Sequence, residues 1–322
     1  MRLWFGTLVA LQCLCAAAQA QTYPNRAITF IVTAVPGGVT DVAGRALARE
    51  LTKAWGQQIV VENRGGAGHV IGAEMVAKAA PDGYTLLVGE SGAFTVNPTL
   101  LPEEKTHYDV DKDFIPITGL VRIYQALLAS NSLPVSNAAE LIALAKQKPG
   151  QLTYGTAGVG SALHMNMALF DTMAGIKMLP VHYRGATPAL NDLIGGSINT
   201  MIVSVASGLP AFRARQIKML GVGSPKRMVQ LPDVPAVAES LPGYQATAWF
   251  GLFAPSGTPT DIVTKLNAAV ARIFTDPEFR SRFLDPQMFE FMTGSPAEFA
   301  AFIKADREKA IKVIHDADIK IE

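Results

Sequence analysis

The segment Ala27-Ile28-Thr29-Phe30-Ile31-Val32-Thr33-Ala34-Val35-Pro36-Gly37-Gly38-Val39-Thr40-Asp41-Val42-Ala43-Gly44-Arg45-Ala46-Leu47-Ala48-Arg49-Glu50-Leu51 decides the fold class. Its first six residues form an apolar, β-branched run that reads as a buried strand. Pro36-Gly37-Gly38 stops the run. From Val39 the apolar residues recur at intervals of three and four, as on one face of a helix. The order then repeats: strand Gln58 to Glu62, glycine loop Gly65 to Gly68, helix Val70 to Ala79, and after the turn Pro81-Asp82-Gly83 the strand Tyr84 to Gly89. Alternating strand and helix predicts an α/β fold with a parallel sheet covered on both faces.

A similar series begins after Phe114-Ile115-Pro116-Ile117. It comprises strands at Gln125 to Ala129, Leu152 to Gly155, Met178 to His182 and Asn199 to Ser204, with helices at Ala138 to Gln147, Ala162 to Ala174 and Ala186 to Gly195. Thr247 to Pro255 reads as one more strand, rich in aromatic and β-branched residues. Thr258-Pro259 reads as a cap followed by proline at the first helical position. Ser295-Pro296-Ala297-Glu298 has capping-box spacing and opens a last helix toward His315. The two terminal helices are expected to pack on the first lobe. The resulting division is 21–122 plus 248–322 for lobe 1 and 123–247 for lobe 2.

Arg2, the apolar run Leu3 to Leu14 and Ala18-Gln19-Ala20 read as a secretory signal cleaved after residue 20. The apolar run is shorter than the roughly 20 residues of a membrane-spanning helix. Both cysteines, Cys13 and Cys15, lie inside the signal, so the exported chain would have no disulfide and no thiolate chemistry. Arg2 is the one charge in that segment, and removing it balances the 28 Lys+Arg against the 27 Asp+Glu. A neutral chain lacks the electrostatic footprint of nucleic-acid binding. With 322 residues, 49% of them hydrophobic, the chain can bury a large core and form two domains.

Two glycine-rich segments, one per lobe, lie between a strand and a helix and end in hydroxyl side chains: Thr33 to Asp41 and Tyr154 to His164. Glycine there lets a ligand approach the backbone, and the unpaired N–H groups at a helix start favour an anion. Either loop alone reads equally well as a tight turn, but two on facing lobes predict a cleft for a carboxylate. Thr40, Thr156 and Ser161 are the expected side-chain contacts, beside the backbone of Gly37, Gly38, Ala157 and Gly158. His164 is read as ligand contact or structural residue alike. Asp41 is read chiefly as a helix cap, because an acid would repel an anionic ligand. Arg184 is a candidate partner for a second carboxylate at a strand end, with Gly185, Ala186 and Ser204 at neighbouring strand ends.

Two enzyme-like patterns fall short. Gly66-Ala67-Gly68 to Gly72, with Glu90 as the acid, lacks the third glycine of a dinucleotide fingerprint. Gly89-Glu90-Ser91-Gly92-Ala93 approaches a nucleophile elbow, but an elbow feeds a helix and Asn97-Pro98 argues against one there. Ser91 is therefore read as a cleft-lining hydroxyl with Phe94 nearby. No catalytic residue, metal or cofactor is expected.

At these segments the chain resembles the tripartite tricarboxylate transporter receptors, also called Bug receptors. The resemblance is carried by Tyr23-Pro24-Asn25-Arg26, Pro36-Gly37-Gly38 with Asp41 and Arg45, Val60 to Arg64 with Gly66-Ala67-Gly68, Pro81 to Leu86, Asp113 to Ile117, Gly158 to Ser161 with His164, Tyr183-Arg184-Gly185, Leu231 to Pro235, and Trp249-Phe250-Gly251 with Ala254 to Pro259. It implies a type II periplasmic-binding-protein fold, two Rossmann-like lobes joined by crossing strands and closing on a carboxylated ligand. It implies ligand loops at Val35 to Asp41, including Pro36, and at Thr156 to His164. It further implies a monomeric periplasmic receptor that delivers a small organic acid to a large and a small membrane permease subunit. A sensory protein serving a membrane kinase is the alternative, and an exported hydrolase a weaker one. Gly65, His69 and Asn199 depart from the family's usual proline, glycine and aspartate.

Overall fold

The computed structural model describes residues 23–34, 36–66, 69–101 and 106–320. The proposed signal segment and Val35 lie outside them. β1 (Ile28–Val32) is buried almost throughout and pairs in parallel with β2 (Ile59–Asn63) and β3 (Thr85–Glu90). α1 (Val39–Trp55) covers this sheet with Ala43, Leu47 and Leu51, all at most 1% exposed. Gly44 permits that contact, since a Cβ there would lie 3.1 Å from Val32 Cγ2. Gly56, at φ 65°, ends the helix by donating its N–H to Thr52 O. α2 is Val70–Ala77.

The parallel pairing expected within each half is present, and two long elements add antiparallel pairing to it. β4 (Phe114–Ser130) and β9 (Thr247–Pro255) run antiparallel to each other, and β9 also lies antiparallel to β3. From Phe114 to Tyr124, β4 pairs with β9; from Gln125 onward it pairs with β7 (Thr200–Ser204) and, from Ala126, with β8 (Ile217–Val222). One strand thus belongs to both halves of the molecule. The chain crosses again before β9, where Gln125 N donates to Ala246 O and Ala246 N to Gly223 O. The strand order is β2-β1-β3-β9-β4-β7-β5-β6, with β5 (Thr153–Thr156) and β6 (Leu179–His182) parallel, and β10 (Phe289–Phe291) on β4.

The second half carries α3 (Ala138–Gln147), α4 (Ala162–Ala174), α5 (Ala186–Gly195) and α6 (Val205–Arg213). The sequence reading left α6 and β8 unassigned. Two expectations are corrected. The helix α7 (Thr260–Thr275) starts one residue after the proline, and Thr258 Oγ1 donates to Pro255 O instead of capping it. After Ser91 the chain does turn helical, through a π-turn at Gly92–Val96 and an α-turn at Asn97–Leu100, because Pro98 sits in the first turn where no N–H is needed.

The last helix, α8 (Pro296–Asp316), has the expected capping box: Ser295 Oγ accepts from Glu298 N at 3.2 Å, and Glu298 Oε2 accepts from Ser295 N at 2.8 Å. Its start packs on the first half, where Phe299 and Ile303 join Trp249, Phe94 and Phe253. Its end leaves that half, and Val313 and Ile314 pack on Met165 and Ala168 of α4. The expectation that α8 belongs to lobe 1 alone is therefore too narrow.

Candidate functional site

A cavity of about 520 Å³ lies between the two halves, within the size range of small-molecule sites. Four helices begin at its wall. α1 starts there at Gly38 and Val39 from the first half, α4 at Ser161 and Ala162, α5 at Ala186, and α6 at Ser204 from the second. The opening turn of each helix leaves backbone N–H groups unpaired and carries partial positive charge. Among the described residues no Lys or Arg lines the cavity. Recognition of an anion there falls to backbone dipoles.

Both loops are fixed by their own side chains. Asp41 Oδ2 accepts from Gly37 N at 2.8 Å, while Oδ1 takes Asn63 Nδ2 and the Arg45 guanidinium, each at 2.9 Å. Burial raises the affinity of this carboxyl for a proton, but the hydrogen bonds from Arg45, Gly37 and Asn63 outweigh it and leave the pKa below the ordinary value. Asp41 is an ionised clamp that faces its own loop. In the second loop Gly160 N donates to His164 Nδ1 at 3.2 Å, which fixes the proton of the neutral ring on Nε2. Burial and the nearby His182 lower the His164 pKa to about 4. Ser161 Oγ donates to Gly158 O at 2.7 Å and accepts from His164 N at 3.3 Å. Thr156 Oγ1 bonds His182 Nδ1 at 2.7 Å.

The two halves do not contribute alike. On the first-half wall Glu90, at the end of β3, faces Thr40 Oγ1 at 3.3 Å and His69 Nε2 at 3.5 Å. His69 Nδ1 lies 2.7 Å from Thr33 O, and since a carbonyl only accepts, Nδ1 carries a proton. Near the crossing, Gln125 Oε1 accepts from Asn166 Nδ2, so its NH2 group is the end with no internal partner among the described residues. Reading the sequence missed Glu90, His69 and Gln125 as site residues. The available signal was Glu90 at the carboxyl end of a parallel strand, where α/β clefts form.

Of the candidates, Gly38, Thr40, Ala157, Gly158, Ser161, Ala186 and Ser204 line this cavity. Pro36 and Gly37 are exposed outside it. Asp41, Thr156 and His164 are buried behind the loops, and Gly185 is the cap residue before Ala186. Phe94 is 0% exposed and stacks on Phe253 at 3.9 Å, so its ring is core, not wall. Arg184 is exposed and does not border the cavity. Ser91 borders a different cavity of about 370 Å³ between α4 and α8, and among the described residues no hydrogen bond joins its hydroxyl to a histidine base.

The model of the tripartite tricarboxylate transporter family receptor matches residues 43–319. The chain belongs to that family. Among curated members of the receptor family, BugT of Bordetella pertussis is 36% identical over 264 residues, 81% of this chain and 80% of BugT. R. palustris Rpa4515, solved with adipate, is 35% identical with a TM-score of 0.83, covering 92% of this chain and 99% of its own. MatC of Rhodopseudomonas palustris, solved with bound malate, is 33% identical with a TM-score of 0.77, over 91% of this chain and 100% of its own. The receptor family consists of solute-binding proteins of two-lobed α/β fold, a receptor class and not an enzymatic one. Among the described residues no helix is long and apolar enough to cross a membrane.

Proposed function

We propose that this chain is a periplasmic receptor that holds a small organic acid between its two halves and passes it to the large and small membrane subunits of a tripartite transporter. The observation that carries the reading is the convergence of four helix N-termini, one from the first half and three from the second, on one cavity without a Lys or Arg among its described lining residues. A carboxylate placed there interacts with both halves at once and so favours their closed arrangement. Relatives solved with adipate and with malate support the ligand class. Export by residues 1–20 agrees with the family's periplasmic setting.

A thermal-shift screen of organic acids, with adipate and malate in the first panel, tests the reading. A ligand present at a hundred times its dissociation constant adds about 2.7 kcal/mol of stability. Ser161→Phe should abolish the shift by filling the start of α4. A screen of mono-, di- and tricarboxylates and amino acids with no shift for the natural chain would overturn the reading, and an undiminished shift in the variant would remove the second loop from the site.

A further inference from the structure

The wall opposite the second-half loops is not built for a bare anion. Glu90 brings a carboxylate to the cavity, and its side chain is 22% exposed. Its two neighbours hold it loosely. Thr40 Oγ1 at 3.3 Å exceeds the usual O–H···O length, and His69 Nε2 at 3.5 Å is longer than the roughly 2.7–2.9 Å of a charge-assisted bond. Both reach Oε2; among the described residues Oε1 accepts no hydrogen bond. Asp41 shows what a settled carboxylate looks like in this molecule, with three donors at 2.8–2.9 Å.

The cavity is therefore unevenly charged: three positive helix ends face it from the second half, whereas the one from the first half, at α1, stands beside the Glu90 carboxylate at Thr40. A plain dicarboxylate would find the helix N-termini for one end but no Lys or Arg among the described lining residues for the other, and the lining His69 already faces Glu90. Glu90 would repel that second end.

Resting on the receptor reading above, we propose that the ligand carries an ammonium group as well as a carboxylate, and that Glu90 accepts its N–H donors. Thr40 Oγ1 donates to the Glu90 carboxylate and orients it. The specificity follows from desolvation: a ligand that shuts solvent away from the partly exposed Glu90 carboxylate without offering it a donor incurs a penalty.

Isothermal titration on the natural chain tests this with pairs that differ only by an amino group: aspartate against succinate, glutamate against glutarate, and 4-aminobutyrate against butyrate. In at least one pair the amino member should bind tenfold tighter or more. Glu90→Gln should weaken that member tenfold or more and strengthen its partner, collapsing the ratio toward one. The natural chain tests the preference even where the variant is unstable, and the unliganded Tm of the variant shows whether it folds. Des-amino members binding as tightly as or more tightly than their amino partners would overturn this inference and leave the receptor reading standing. A folded Glu90→Gln protein that keeps the full preference would remove Glu90 from the role. Binding by none of these probes, together with none in the broader organic-acid screen, would overturn both.

Discussion

The two glycine-rich loops solve one problem with different chemistry. In each, a glycine N–H is taken up by the side chain four residues later: Gly37 by Asp41 and Gly160 by His164. Asp41 is charged, and it recruits Arg45 and Asn63 to complete its hydrogen bonds. His164 is neutral, accepts at Nδ1 with no counter-ion to recruit, and sits in a more apolar setting between Tyr154 and His182. A charged clamp depends on its network, whereas a neutral clamp depends on pH.

The largest expected effect is on the charged clamp. Asp41→Ala leaves Gly37 N, Asn63 and Arg45 without their common acceptor, and removing one partner of a buried pair costs about 3–5 kcal/mol. Because Arg45 is half exposed and water can recover it, about 3 kcal/mol is expected by chemical denaturation at neutral pH. A loss below about 1 kcal/mol would mean that the network is not what holds the first loop.

The neutral clamp should show its cost in acid. The folded His164 pKa of about 4 lies below its ordinary value of 6.5, so the folded state holds fewer protons between them. Its contribution is present above pH 6.5 and is lost as pH falls through about 4, to the extent of about 2–3 kcal/mol. In His164→Gln the slope of Tm against pH over that window should flatten relative to the natural chain. An unchanged slope would assign the acid sensitivity to His182, which burial also lowers.

Asp171, two turns further along α4, has the opposite sign. Burial raises its pKa to about 7, its Oδ2 accepts from Met178 N at 2.8 Å, and its Oδ1 has no partner among the described residues. Its contribution is complete below pH 3.8 and is lost as pH rises through about 7. Asp171→Asn should therefore stabilise the protein at pH 8 by about 2 kcal/mol and much less at pH 4, read by paired denaturation curves. Equal effects at both values would show that the carboxyl is solvated. Together these two groups on α4 pull the stability optimum in opposite directions.

How much of this was legible depended on whether the signal was local. The strand, glycine turn and helix at Ile28 to Leu51 and the box at Ser295 to Glu298 are written in neighbouring residues, and both form as read. Pro98 misled because proline forbids the helix interior yet suits its first turn. Pro210 sits inside α6, which obscured that helix and hence one of the four N-termini. The pairing of Thr40 with Glu90 spans fifty positions, and that of Asn166 with Gln125 forty-one. No spacing rule reaches so far. The family resemblance supplied the loops, but Glu90 and His69 emerge only when the end of β3 and the loop before α2 meet at one wall.

Trp249 has a practical value that its packing creates. Its indole sits on the second crossing strand and donates to Asp306 Oδ2 at 2.8 Å, on a helix that rests against both halves. Trp4 precedes the proposed cleavage point and Trp55 closes α1, so Trp249 is the intrinsic fluorophore that lies against the helix joining the two halves. Sliding of α8 would disturb that indole, and emission from unlabelled protein would follow such a movement in real time.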